Sequence, residues 1–437
     1  MAGVSDLSRA AHRRAIVAAG IGNCLELFDL TVFGFFAASI GAQFFPSTDP
    51  MTPILSSFAT FALGFLMRPV GALTLASIGD RHGRRALLSL TMALMGAGSL
   101  GIALVPNYAQ IGVAAPLLLV LFRLVQGFAA GGEWGGAVTM MVEQAPANRR
   151  GFVGSFQQIG FGLGILAGTL FALLINAGLS DAARLAWGWR LPFLFGALVA
   201  PVALYIRRRV GESPAFEKVA AEGHILRTPV RDAFVAHWPR ILAVVGIGTM
   251  GTAAGYIANQ FMSNFAVKSL GLSGGLVSTA ILVASLLQLV LIPFWGWLSD
   301  YVGRLPIMGG AALVYTLVIY PLFGALVHAP GAAVLFTIVC VSAVLVSASF
   351  GPLPALISSF FPPEVRTTAV SIGYNFAAAI FGGLAPFVST WLVGATGDLI
   401  APTYYAMGCG VITVVTAAAF VLAGGLRHAA IAEAGHV

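Results

Sequence analysis

Twelve apolar stretches, each bounded by charges, Gly or Pro, leave this chain few ways to fold: about 16–45, 54–79, 86–105, 112–143, 151–178, 188–206, 241–267, 274–298, 305–327, 331–360, 366–394 and 402–426. About 20 residues of helix, at 1.5 Å each, span the roughly 30 Å hydrocarbon core of a bilayer. Inside that core a helix is the element that satisfies its own backbone. Composition agrees: of 437 residues 58% are hydrophobic and 9% charged, where a soluble domain carries about 25% charged. The expectation is an all-α integral membrane protein of twelve transmembrane helices. Cys24, Cys340 and Cys409 sit singly in separate apolar runs, without metal-ligand spacing, and read as small core residues. No catalytic residue, metal site or cofactor is expected, and no small-residue cleavage site follows the first apolar segment at a sensible distance.

Basic residues sort the connectors. With an even number of spans both termini share one side, and that side collects 18 Lys and Arg against 3 on the other, namely Arg184, Arg190 and Lys268. The positive-inside rule then makes both termini cytoplasmic in the cell inner membrane. The net charge of +7 is thus a topology signal and not a nucleic-acid surface. The one long polar stretch, 207–240, divides an amino-terminal half (1–206) from a carboxy-terminal half (241–437). Gly79-Asp80-Arg81-His82-Gly83-Arg84-Arg85 is echoed by Ser299-Asp300-Tyr301-Val302-Gly303-Arg304, with the two Asp residues 220 positions apart. Two copies on one side imply pseudo-symmetric six-helix halves with a site between them.

Acidic and basic residues well inside the spans, away from their ends, are confined to the first half: Glu26, Asp29, Arg68, Arg123 and Glu133. Each costs roughly 2.5–3.5 kcal/mol at a helix centre and must therefore turn towards protein or a water-filled cavity. Arg123 and Glu133, about 15 Å apart along one helix, are expected to find partners on other helices. Arg123 either binds an anionic substrate or ties helices together. The second half offers neutral polar groups instead, among them Tyr256, Asn259, Gln260, Asn264, Gln288, Tyr374 and Asn375. With Gln157 of the fifth span, Tyr256, Asn259, Gln260 and Asn375 are candidates for fixing a substrate, the alternative being plain interhelical hydrogen bonds.

These residues also resemble a known family. Asp80-Arg81-x-Gly83-Arg84-Arg85 is similar to the signature loop of the major facilitator superfamily, and Arg123-x-x-Gln126-Gly127 to its fourth-helix motif. Gly22-Asn23-x-x-Glu26-x-Phe28-Asp29, Phe65-Leu66-Met67-Arg68-Pro69-Val70-Gly71, Gly132-Glu133-Trp134-Gly135-Gly136, Trp187-Gly188-Trp189-Arg190-Leu191-Pro192-Phe193, Glu212-Ser213-Pro214-Ala215-Phe216 and Phe381-Gly382-Gly383-Leu384-Ala385-Pro386 resemble the metabolite:proton symporter family. That family includes carriers of citrate, oxoglutarate, shikimate and betaines, and the citrate type is the nearest likeness. Three features depart from related patterns. Ala76 stands where the signature loop usually begins with Gly, Ser359 precedes Phe361-Pro362 where a Glu is common, and no Pro lies between Pro146 and Pro192, against the fifth-span Gly-Pro motif of proton-driven drug exporters. Alternating access is expected. Asp80 and Asp300 follow helix ends, where they can pair with Arg of neighbouring connectors and latch the cytoplasmic face shut; Asp80, Arg81, Gly83, Arg84 and Arg85 are the expected gate, Asp300, Gly303 and Arg304 its repeat, and Arg68, near the cytoplasmic third of its span, is expected to be structural or gating.

Charge suggests how uptake is coupled. Two Arg against three carboxylates sum to −1 when all are ionised, which repels an anion; one proton brings zero and a second leaves +1. Asp29 and Glu133, with Glu26 third, are the expected proton carriers and Arg123 the partner of a substrate carboxylate. The expected function is import of a di- or tricarboxylate by proton symport, by a monomer in the lipid bilayer, with Na⁺ as an alternative coupling ion. Uptake of a zwitterion such as betaine or proline, held by an aromatic cage of Phe28, Phe33, Tyr256 and Trp134, or of a shikimate-like monocarboxylate, are the other expectations.

Overall fold

The computed structural model describes residues 24–49, 51–82, 84–143, 145–208, 229–361 and 363–422, most of them helical. Among these, nine helices are long and apolar enough to cross a bilayer, and a bent pair, Cys24–Phe35 and Ala37–Phe44 at 68°, makes a tenth. Two shorter helices complete twelve. In chain order the spans are α1 (the bent pair), α2 (Met51–His82), α3 (Arg84–Leu104), α4 (Ala114–Glu143), α5 (Arg150–Gly178) and α6 (Leu191–Arg208), then α7 (Pro229–Tyr256, Ile257–Phe261 and Met262–Lys268) and α8 (Gly274–Val302). They continue with α9 (Arg304–His328), α10 (Ala332–Phe350 and Leu353–Ser358), α11 (Pro363–Ala377, Ala378–Gly383 and Ala385–Thr396) and α12 (Pro402–Leu422). The helices form two six-helix halves, α1–α6 and α7–α12. The side on which α2, α4, α6, α8 and α10 end is here the connector face. Most of the central stretch, 209–228, lies outside the described residues, as does Gly83.

Local chemistry sets several boundaries. Asp49 accepts the amides of Met51 (3.3 Å) and Thr52 (3.1 Å) and the Thr52 hydroxyl (2.6 Å), so it caps the start of α2. Chiefly the Thr52 hydroxyl, and then these amides, hold its carboxyl below the ordinary Asp range. Gly303 alone joins α8 to α9 at φ +100°, a conformation that strains any residue with a Cβ. Arg190 donates to the carbonyls of Ala103 and Val105, both at 2.7 Å, at the end of α3. Beside it the fully buried Trp189 meets Phe44 and Phe193 edge-on, with ring centres 5.7 and 6.3 Å away. The Trp-Gly-Trp-Arg stretch thereby pins the ends of α1, α3 and α6 to one another.

Four of the spans are interrupted, α10 at Gly351-Pro352 and three others. α1 breaks at Phe36, and α7 and α11 each carry a wider, π-type turn, at Ile257–Phe261 and Ala378–Gly383. Such turns cluster at functional sites because they re-aim side chains.

Small residues bring α2 and α4 into backbone contact. A Cβ on Gly127 would collide with the Gly64 carbonyl, and one on Gly131 with the Arg68 carbonyl. Without lipid-phase hydrophobic drive between helices, that closeness is what lets dispersion and hydrogen bonds hold them.

Contacts between the halves seal both faces. On the connector face the hydroxyls of Thr139 (α4) and Thr367 (α11) lie 2.9 Å apart, and Asp300 of α8 accepts the amides of Gly151 (2.8 Å) and Phe152 (2.9 Å) of α5. On the opposite face Asn264 of α7 donates to the Gly34 carbonyl of α1 at 2.5 Å, and Asn176 of α5 meets Ser278 of α8 at 3.2 Å.

Candidate functional site

All five embedded charges are buried, none more than 4% exposed. Four of them, Glu26 and Asp29 of α1, Arg68 of α2 and Arg123 of α4, line one narrow cavity with Phe61, Phe65, Met95 and Gln126. Every residue lining this cavity comes from α1–α4. The site expected between the halves is therefore, in its charged part, inside the first half. Its aromatic wall, Phe61 and Phe65, also touches the second half: Tyr256 of α7 packs edge-on against both rings, at 6.0 and 4.9 Å.

Arg123 rests over the Phe33 ring, 4.0 Å from its centre, with Phe61 5.5 Å away. A guanidinium on an aromatic face is stabilised by the ring quadrupole while its edge stays available for in-plane hydrogen bonds. Nη1 donates to Gln126 Oε1 at 2.6 Å, one turn on along the same helix. Nε and Nη2 have no hydrogen-bond partner among the described residues. The Gln126 amide then donates through Nε2 to Asp29 Oδ2 at 2.7 Å and to Ser99 Oγ at 3.0 Å, while Ser99 donates to the same carboxylate oxygen. Arg123 and Asp29 are thus joined through a neutral amide. The nearest hydrogen-bond partner of Arg123 lies on its own helix, contrary to the expectation that the partner would come from another.

The second charged unit is a direct ion pair. Arg68 Nη1 is 2.7 Å from Glu26 Oε1, and its Nε donates to Asn375 Oδ1 of α11 at 3.1 Å. Arg68 lies 5.2 Å from the Phe65 ring centre. Tyr256, Tyr374 and Glu133 complete the surroundings at electrostatic range. Glu133 adjoins Trp134, whose indole stacks on Tyr374 of α11 with ring centres 3.5 Å apart and planes 5° off parallel.

The neutral candidates are scattered. Asn375 bridges to Arg68 and Gly131; Asn259 donates to Gly255 in its own helix at 2.8 Å; Gln260 packs against Gly34 of α1. Gln157 of α5 is buried, and both ends of its amide lack a partner, as do those of its neighbour Gln158. In the second gate, Asp300 binds the backbone amides of α5, while Arg304 is 3.8 Å from it. Backbone amides at a helix start carry partial positive charge, so they add to Arg304 as partners of the Asp300 carboxylate. Of the first gate, Gly83 and the side chains of Asp80, Arg81, Arg84 and Arg85 lie outside the described residues.

Ser99 and Gln126 were missed as site residues. Gln126 had a signal, its place three residues after Arg123 on one helix face. Ser99, in a run of small residues, had none.

Long apolar helices around a cluster of buried charges are the build of a multi-pass membrane carrier. Comparison with known proteins agrees. The profile described as Major Facilitator Superfamily matches residues 19–386 and 245–433. The chain is 34% identical over 421 residues to the glycine betaine/proline/ectoine/pipecolic acid transporter OusA of Dickeya dadantii (strain 3937), covering 92% of this chain and 82% of that protein. It is also 34% identical over 401 residues to the citrate-proton symporter of Klebsiella pneumoniae, covering 91% and 90%, and to the shikimate transporter of Escherichia coli (strain K12), covering 90% of each. The fold matches the proton:xylose symporter XylE bound to 6-bromo-6-deoxy-D-glucose, with a TM-score of 0.77 at 17% identity over 94% of this chain and 95% of that one. The chain belongs to the Major Facilitator Superfamily, within its metabolite:proton symporters.

Proposed function

We propose that this carrier imports a small organic anion, a di- or tricarboxylate such as citrate or oxoglutarate, together with protons. The observation that carries the proposal is Arg123, a guanidinium in the membrane interior whose Nε and Nη2 have no partner among the described residues and whose face lies against Phe33. A carboxylate bound edge-on to those two N–H groups would form the bidentate pair that guanidinium geometry favours. The fully ionised set sums to −1 and repels such a guest, so protonation of Asp29, Glu133 or Glu26 must accompany its binding. Inward movement of an anion against an inside-negative potential costs about 2.3 kcal/mol per charge per 100 mV, which the co-transported protons offset. The termini and the central stretch face the cytoplasm in this proposal.

A zwitterion is the competing substrate, because relatives named for betaine and for citrate are equally similar to this chain. The aromatic groups that would cage a quaternary nitrogen are otherwise engaged. Phe33 faces Arg123, Trp134 is stacked on Tyr374, and Phe28 packs edge-on with Phe171 and Phe195. The test is pH change in lightly buffered proteoliposomes on adding citrate, oxoglutarate, shikimate or glycine betaine. External alkalinisation with the di- and tricarboxylates alone supports the proposal; alkalinisation with betaine alone overturns it.

A further inference from the structure

The two charged units differ in what they touch. The Arg123–Gln126–Asp29–Ser99 network is confined to the first half, whereas the Glu26–Arg68 pair is hydrogen-bonded to the second half through the side chain of Asn375.

Asn375 ends a ladder. Helices α4 and α11 run antiparallel, and they meet once per turn: Thr139 with Thr367, Gly135 with Ser371, and Gly131 with Asn375. Each rung is four residues from the next on both helices, so the three rungs lie on one line from the connector face inwards. The outer two are small residues in contact. The innermost is different, because it alone meets a charge. Asn375 donates to the carbonyls of Gly131 (3.1 Å) and Ser371 (2.9 Å) and accepts from Arg68 Nε (3.1 Å), so both ends of its amide are used, and it is fully buried. An amide is the group that can accept from a guanidinium and donate to a carbonyl at one point.

We propose that Asn375 is a positioning residue through which the ionisation of Glu26 controls closure of the connector face. With Glu26 ionised, the guanidinium is held between the carboxylate on α1 and the amide on α11, and that hold draws α11 onto α2 and α4. When Glu26 takes a proton, Arg68 loses its ionic partner and turns away, the innermost rung opens, and the small-residue rungs outside it part. The groups facing Glu26 are Arg68 from α2, Glu133 from α4, Tyr256 from α7 and Tyr374 from α11. Of these Arg68 alone is cationic, so neutralising Glu26 leaves the guanidinium without its nearest counter-charge. This extends the proton-symport proposal above by assigning Glu26 to conformational control and leaving the Asp29 network to substrate binding.

Closure can be read without any substrate, which separates this proposal from the one it extends. In the full-length chain reconstituted in vesicles, with Cys24, Cys340 and Cys409 replaced by Ser, a Ser371→Cys reporter inside the ladder is labelled with a membrane-impermeant maleimide from the connector face. Loss of one charge-assisted hydrogen bond shifts a two-state equilibrium roughly tenfold. Asn375→Ala and Glu26→Gln are each expected to raise the labelling rate by about that factor, and the double variant no further, since either change already opens the same rung. Asn375→Asp supplies Arg68 with a carboxylate from α11 itself, so labelling should stay slow even alongside Glu26→Gln. A plain interhelical hydrogen bond predicts otherwise: independent, multiplying effects of Asn375→Ala and Glu26→Gln, and no rescue by Asn375→Asp. Either of those results, or an unchanged rate in Glu26→Gln, overturns the proposal.

Discussion

Replacing Arg123 by Gln removes the guanidinium while keeping a polar side chain of moderate length, and two opposite consequences follow from its surroundings. Among the described residues, the only hydrogen bond that Arg123 makes is the 2.6 Å contact to Gln126, and its other two N–H-bearing nitrogens lack partners there. A neutral amide in its place loses the contact with Phe33 and one charge-assisted hydrogen bond, about 2–4 kcal/mol together, but also relieves a buried cation of a comparable desolvation cost. Folding stability should therefore change by about 1 kcal/mol or less. Anion binding has no such offset. Loss of one partner from a buried charge pair typically costs 2–5 kcal/mol, or roughly 30- to 4,000-fold in affinity. The assay is uptake of labelled citrate and oxoglutarate into proteoliposomes under an imposed pH gradient, with thermal unfolding of the detergent-solubilised protein as the control. Uptake should vanish with the unfolding midpoint within a few degrees of the parent. Citrate or oxoglutarate uptake that survives with affinity within about threefold of the parent would refute the role given to this guanidinium.

Three further outcomes follow from the same geometry. Gln126→Leu breaks the amide link between Arg123 and Asp29, lets the two charges approach directly, and should weaken anion affinity about tenfold or more; equilibrium binding checks it, and parental affinity contradicts it. Gly127→Ala places a Cβ against the Gly64 carbonyl and should destabilise the α2–α4 contact by about 1–3 kcal/mol, seen as a lower unfolding temperature, whereas an unchanged temperature would mean the helices separate at little cost. Asp300→Ala removes the acceptor for the Gly151 and Phe152 amides at about 1–2 kcal/mol, which should raise cysteine labelling on the connector face roughly 5- to 30-fold without reducing insertion; an unchanged rate would show that this contact does not hold the face shut.

The sequence carried the architecture because a bilayer makes apolar length, charge exclusion and connector charge nearly the whole code for helix placement. The five buried charges were legible for the same reason: each is too costly in lipid to be accidental. What the pattern did not carry was where the helices depart from regularity. Nothing in Ile257–Phe261 or Ala378–Gly383 marks a wider turn, and the bend at Phe36 has no Pro to announce it. Partner choice was equally hidden. Arg68 was expected to be structural or gating, but nothing in the pattern displayed that its side chain reaches Glu26 in the central cavity and Asn375 beyond it. Besides Arg304, Asp300 meets backbone amides, donors that no residue pattern displays.

The account rests on the idea that embedded carboxylates shed their charge as an organic anion arrives beside Arg123. Titration calorimetry of the purified carrier with citrate or oxoglutarate, repeated in buffers of different ionisation enthalpy, counts the protons taken up per ligand bound. Between one and two are expected for the parent chain, and markedly fewer once Asp29→Asn and Glu133→Gln are combined. Tight binding with no proton uptake in the parent, or the same uptake in the double variant, would contradict it.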